Sequence, residues 1–301
     1  MGRFGNISEK VTGNLKFLGS CTFAGGLGES NTPGNIRYVD GLYGNDANDG
    51  SSWETPWATV QKAATAIGER GVIFVAPGEY DEDVILSTSK VKIIGVGSNH
   101  SVRITGTSAG TATALTLSGV SDVGIYNLNL EGRSGGAGLS FTGQIRRVDI
   151  EGCKLHGGTN ALQILVPASS QTVDITIRDN LIANATNGIN INYSGGDPCH
   201  QIKILGNLFS KIVTDNIVEN GVTHDYIISG NVFGMNNTSE STQFLDIDET
   251  GTNGFVTDNL FATTVFSTAK FAIATGVLFA NNISEQENLS ANVGGTNGRP
   301  D

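Results

Sequence analysis

A chain of 301 residues with a formal net charge of −11 and no cluster of Lys or Arg denser than Arg146-Arg147 excludes a nucleic-acid partner, because phosphate capture needs converging basic side chains. With 38% hydrophobic and only 16% charged residues, the composition excludes a disordered chain and leaves enough apolar material for a core. Three cysteines, Cys21, Cys153 and Cys199, with no CxxC or Cys/His spacing, give neither a closed disulfide framework nor a metal site.

Residues 1–36 alternate apolar positions between glycines, as in VTGNLKFLGSCTFAGG, but do not join the pattern that follows. They contain no apolar signal core, and no run in the chain reaches membrane length. Synthesis and folding in a cytoplasm, without a signal peptide or membrane insertion, are therefore expected. The stretch GNDANDG, residues 44–50, resembles a calcium loop only in composition. Counting from Asp46, Gly50 falls one place early and no Glu closes the loop, so Asx turns ahead of a helix explain it more simply.

A short helix is expected over 55–68, with Thr55 as cap, Pro56 in the first turn and an apolar stripe of Trp57, Val60, Ala63, Ala64 and Ile67. Residues 37–71 thus form a cap, and GVIFVAPGEYDEDVIL begins the body of the molecule as strand, turn, strand.

From there the sequence repeats. VGIYNLNL, VDIEGCKL, ITIRDNLI, IKILGNLF, YIISGNVF, GFVTDNLF and VLFANNIS align so that one turn position holds Leu128, Cys153, Asn180, Asn207, Asn231, Asn259 and Asn282. These are separated by 25, 27, 27, 24, 28 and 23 residues. The two-residue period of V-x-I and I-x-I is that of a strand. A second alternation lies between the segments: Leu115/Leu117, Leu139/Phe141, Leu162/Ile164, Ile189/Ile191, Leu245/Ile247 and Phe271/Ile273. Two or three strands per coil predict an all-β fold, a parallel β-helix over 72–284 with an N-terminal capping helix. The Asn column is expected to adopt the left-handed conformation of a tight bend and to stack as an amide ladder at about 4.8 Å spacing. Cys153 continues the column as a core residue. Residues 285–301 form a polar, Gly-rich tail.

The opening of the repeat region resembles pectate-lyase-like right-handed parallel β-helix proteins, in Tyr38-Val39-Asp40, Asn45 to Gly50, Pro56 to Thr59 and Pro77-Gly78-Glu79-Tyr80. The resemblance covers roughly 37–284 and concerns fold, since that superfamily holds polysaccharide lyases, glycoside hydrolases, phage tailspikes and non-catalytic virion scaffolds. Residues 1–36 resemble the attachment arms of phage tailspikes. The resemblance implies a homotrimer on a virion surface, joined through that arm to other virion proteins and facing host glycan, with no cofactor.

Candidate chemistry sits on the outward positions of the second alternation. In FLDIDET, Asp246 and Asp248 are expected to share the outer face about 7 Å apart with Glu249 near, a separation used by glycoside hydrolases. Gln163, Asn190, Asn192 and Tyr193 are the candidate sugar contacts, with Ser140 on the level of Gln163 and Asn190 and Thr142 on that of Asn192. The solvated-face reading of the paired Asp stands beside the catalytic one. His156, His200 and His224 are expected to be solvated at turns, and Lys203, Lys211 and Arg178 have no assigned role.

Overall fold

The computed structural model describes residues 35–108, 112–167, 172–193, 199–221, 223–235, 243–247, 252–262 and 271–284. The arm expected at the N-terminus, apart from Asn35 and Ile36, lies outside these residues, as do the polar tail, Asp248 and Glu249.

The chain winds as a right-handed parallel β-helix with three strands per coil. Gly71–Val75, Gly78–Asp81 and Val84–Leu86 begin three sheets, and Lys92–Gly95, Val102–Thr105 and Leu115–Ser118 stack on them in the next coil. Among the described residues the first sheet has 11 strands, the second 9 and the third 8, and every pairing is parallel. The hand is that of nearly all parallel crossovers.

The period-two pattern sorts side chains by face. Ile73, Ile93, Ile125, Ile150, Ile177, Ile204, Ile228 and Val256 stand in register down the inside of the first sheet, and all are buried. On the second sheet the interior turns aromatic, with Phe209 stacked on Phe233 at 4.6 Å and Phe233 on Phe261 at 5.0 Å. The alternation from Leu115/Leu117 to Phe271/Ile273 forms the third sheet.

The repeat corner lies between the first and second sheets. Asn180, Asn207, Asn231, Asn259 and Asn282 are buried there, and each amide oxygen accepts from the backbone N–H of the preceding member of the column, from Cys153 at 2.9 Å to Asn259 at 3.0 Å. The amide nitrogens donate along the column and to carbonyls such as Ile150 O, Ile177 O and Ile204 O. Cys153 follows the same geometry, its Sγ donating to Ile125 O at 3.6 Å.

The left-handed residue is not the asparagine. It is the position before it: Asn127, Gly152, Asp179, Gly206, Gly230, Asp258 and Asn281 all have φ between 54° and 67°. The bend therefore divides its labour, Gly, Asp or Asn taking the strained torsion and the next residue supplying the amide.

The capping helix is Val60–Ala66, shorter than expected, with Thr59 rather than Thr55 as its cap. Residues before it form turns and a single β-bridge: Trp57 bridges Val39, and Pro56 O accepts from Asn45 N and Asn48 Nδ2. Asp46 accepts from the N–H groups of Ala58 and Thr59, and Glu82 accepts from those of Val60 and Gln61, so carboxylates from two directions satisfy the helix start. Trp57, Val60, Ala63, Ala64 and Ile67 are buried over the first coil. Strand Asn35–Val39, which begins within the segment read as arm, pairs with Gly71–Val75 and extends the first sheet past the helix. Among the described residues no helix is long and apolar enough to cross a membrane.

Candidate functional site

The outer face of the third sheet carries most of the sequence-selected residues. Register places Thr116, Ser140, Gln163, Asn190, Val218, Asp246 and Ala272 in one column. One rung is about 4.8 Å, so Gln163 and Asn190 are neighbours, whereas Asp246 stands about 10 Å from Asn190 with Val218 between them. The next outward column runs Thr142, Leu165, Asn192, Asn220, and Leu165 interrupts the expected polar level. Asn192 is exposed. The backbone of Tyr193 pairs with Val166 at the strand end. The partner carboxylates expected for Asp246 fall outside the described residues.

Asn190 donates to Asn160 Oδ1 at 3.3 Å, and that oxygen also accepts from Asn187 at 3.0 Å. The Asn190 amide oxygen is buried and has no hydrogen-bond partner among the described residues. Asp215, at the start of strand Asp215–Asn220, has its carboxyl pushed above the usual range by burial, against a backbone hydrogen bond near Gln243 that lowers it.

Two constellations on other faces escaped the sequence reading. On the first sheet, Asp149 and Glu151 alternate with inward Val148 and Ile150, the same spacing as Asp246 and Asp248. Arg178, one coil on, bonds Asp149 Oδ2 at 3.0 Å and Glu151 Oε2 at 2.7 Å, while the Tyr126 hydroxyl donates to Asp149 at 3.3 Å. Arg178 thus acquires a role as a clamp between two carboxylates, and Lys203 bonds Asp174 at 3.2 Å. The pattern V-D-I-E was the available signal.

The second is a groove of about 290 Å³ across the last coils of the first sheet, lined by Asp225, Tyr226, Ile227, Asn253, Phe255 and Leu278 along with Gly254 and Gly276. Phe255 and Leu278 are about half exposed, at 52% and 53%. Asn253 Oδ1 accepts from Asp225 N at 3.0 Å and lies 3.3 Å from His224 Nδ1, and the His224 and His200 rings pack at 5.3 Å. Gly254 and Gly276 let neighbouring backbone approach closely, a Cβ at either running into Tyr226 O or Thr252 O, and an amide, a carboxylate and an imidazole stand near the aromatic and aliphatic walls. Apolar walls with few oriented polar groups are the general make-up of small-ligand sites, and the volume sits at their lower end.

His156 corrects the expectation of a solvated turn histidine. It lies in strand Lys154–Gly157, 8% exposed, with Nε2 donating to Asn129 Oδ1 at 2.7 Å. Burial, reinforced by Lys154, pushes its pKa down to about 4, against the pull of Glu131. Glu131 is itself engaged by Arg103, which also bonds Glu79. Burial likewise pushes the Cys153 and Cys199 thiols up to about 12, away from the thiolate form that reacts. Among the described residues no cluster of three or more His, Cys, Asp or Glu has the geometry of a metal site.

This architecture is a right-handed parallel β-helix, and solved structures share it. The chain is similar to pectin methylesterase from Aspergillus niger, with a TM-score of 0.59 at 14% identity over 88% of this chain and 91% of that one. It is also similar to a pectin methylesterase in complex with a hexasaccharide, with a TM-score of 0.58 at 10% identity, covering 87% and 92%. A third is the GH136 lacto-N-biosidase from Eubacterium ramulus, with a TM-score of 0.52 at 11% identity, covering 83% and 60%. At such identities the likeness is one of fold. No family model and no curated protein matches the sequence.

Proposed function

We propose that this chain is a non-catalytic, glycan-contacting β-helix displayed as a homotrimer on a bacteriophage particle, as a capsid decoration or a short tailspike, with residues 1–36 as its attachment arm to other virion proteins. The observation that carries the glycan part is the groove around Phe255. An exposed aromatic face beside Asn253, Asp225 and His224 offers a sugar ring both an apolar platform and hydrogen-bonding groups. The buried amide column supports a scaffold role, because it ties successive coils together where a bend would otherwise leave polar groups unpaired. The particle reading rests on the resemblance of the opening motifs and of the N-terminal alternation.

The second reading is a polysaccharide-degrading enzyme, a glycoside hydrolase or lyase, using Asp246 with Asp248 and Glu249. It is favoured by the carbohydrate-active enzymes among the structures of similar fold. Incubation with host capsule or lipopolysaccharide separates the two. Retention without new reducing ends or unsaturated uronates supports the first reading. Cleavage that disappears in Asp246→Asn and Asp248→Asn replaces it with the second. Counting copies per purified particle tests the display: none on any particle contradicts it.

A further inference from the structure

One outward column of the second sheet changes character halfway along the solenoid. Its first four members, in register from coil to coil, are Glu79, Arg103, Asn129 and Lys154. The next five are Leu181, Leu208, Val232, Leu260 and Ile283. The residue after each of the first four of these, Ile182, Phe209, Phe233 or Phe261, is inward and buried, and none of the five apolar members belongs to the core cluster. Leu260 is 39% exposed and Ile283 56%. With one rung every 4.8 Å or so, the apolar run is about 19 Å long.

The fold does not demand apolar residues at this position, since coils carrying Glu79, Arg103 and Lys154 there are built in the same way. An unbroken apolar stripe across five coils of a strongly acidic chain marks a surface that is covered rather than solvated. The tail 285–301 offers only Leu289, Ala291 and Val293 as apolar side chains, too few to cover five. A second copy of the chain fits on two counts. Its stripe has the same rung spacing, so the side chains of one copy settle between those of the other along the whole length. Two chains of net charge −11 also repel one another, and a stripe without ionisable side chains lets them touch without burying like charges.

We propose that this stripe is the surface along which copies of the chain pack side by side. The five coils from Leu181 to Ile283 face the common axis, and the charged first half of the column stays hydrated. The inference rests on the homotrimer reading above and supplies its interface. It uses the second sheet, whereas the groove around Phe255 belongs to the first.

Sedimentation equilibrium of the full chain tests it, with Leu260→Glu/Ile283→Glu as the variant and Val213→Glu, 62% exposed and outside the stripe, as the control. The wild type and the control should be trimeric. The double variant should keep its circular dichroism and raise the dissociation constant about a hundredfold or more, because each copy would bury unpaired carboxylates. A double variant that stays trimeric overturns the stripe and leaves the homotrimer reading standing, whereas a monomeric wild type overturns both. A dimeric wild type that the double variant splits keeps the stripe and overturns the trimer. Should the double variant fail to fold, oxidation of Leu260→Cys reads the same contact against wild type treated in parallel. A new disulfide-linked pair of chains is expected, and its absence overturns the proposal.

Discussion

Asn259 Oδ1 receives two hydrogen bonds from the same residue one coil away, the backbone N–H of Asn231 and the Asn231 side-chain amide, both at 2.9 Å. The other proton of that amide has the carbonyls of Ile204 and Ser229 within reach, at 2.8 and 3.2 Å. An isosteric leucine would fill the space and satisfy none of these groups.

Asn231→Leu is therefore expected to cost about 3–5 kcal/mol, because it strips Asn207 N–H and Nδ2 of their acceptor and leaves buried carbonyls bare. Asn192→Leu, at an exposed outward position, is expected to change stability by less than about 0.5 kcal/mol. Equilibrium unfolding in urea measures both, and equal losses would remove the column's special standing.

His156 sets a pH dependence with a definite sign. The unfolded chain takes up the imidazole proton near the ordinary value of 6.5, but the folded site resists until about 4. The unfolded state binds more protons across that window, so stability is full above pH 6.5 and falls as the pH drops toward 4, by about 3 kcal/mol. The urea midpoint should fall more steeply with pH in the wild type than in His156→Gln, which retains a donor to Asn129 without the titration. Parallel profiles would show that His156 contributes nothing to the slope.

Cys153 and Cys199 should resist alkylation in the native protein, being buried with thiols held near a pKa of 12. Labelling at pH 8 followed by peptide mapping should find these two modified only after denaturant is added. Modification of either at the rate of a free thiol would mean that the coil carrying it opens readily.

Phe255→Ala should reduce retention of the chain on host glycan by tenfold or more while leaving the unfolding midpoint within about 2 °C, since the ring is half exposed. Surface-plasmon measurements on immobilised capsule or lipopolysaccharide give the affinity. Unchanged binding by this variant would move the contact away from the groove, and Asn190→Ala would then test the third-sheet face.

What the sequence made legible follows from periodicity. A repeat of about two dozen residues, with V-x-I strands and a recurring asparagine, sufficed to place the inward columns and the corner. It could not assign the left-handed torsion, because Asp179-Asn180 and Asn281-Asn282 offer two residues of suitable chemistry, and only the backbone shows which one bends. The list of apolar pairs passes from Ile189/Ile191 to Leu245/Ile247 and skips a coil. That gap was the trace of Glu219, hidden because Ile217-Val218-Glu219 puts an apolar residue outward and an acid inward.

The candidate surface was less legible. Outward positions obey no packing rule, so Val218 and Leu165 break columns that read as polar. The helix began late because Pro56 and Trp57 are held by the loop before it, through bonds from Asn45 and Asn48 that span many residues.

Hydrogen exchange of side-chain amides in protein labelled with ¹⁵N-asparagine tests the stacked-coil account most directly. The side-chain N–H groups of Asn180, Asn207, Asn231 and Asn259 should exchange only as fast as the whole molecule unfolds, while that of exposed Asn192 exchanges freely. Rapid exchange at all of them would contradict the amide column and the wound coils that it joins.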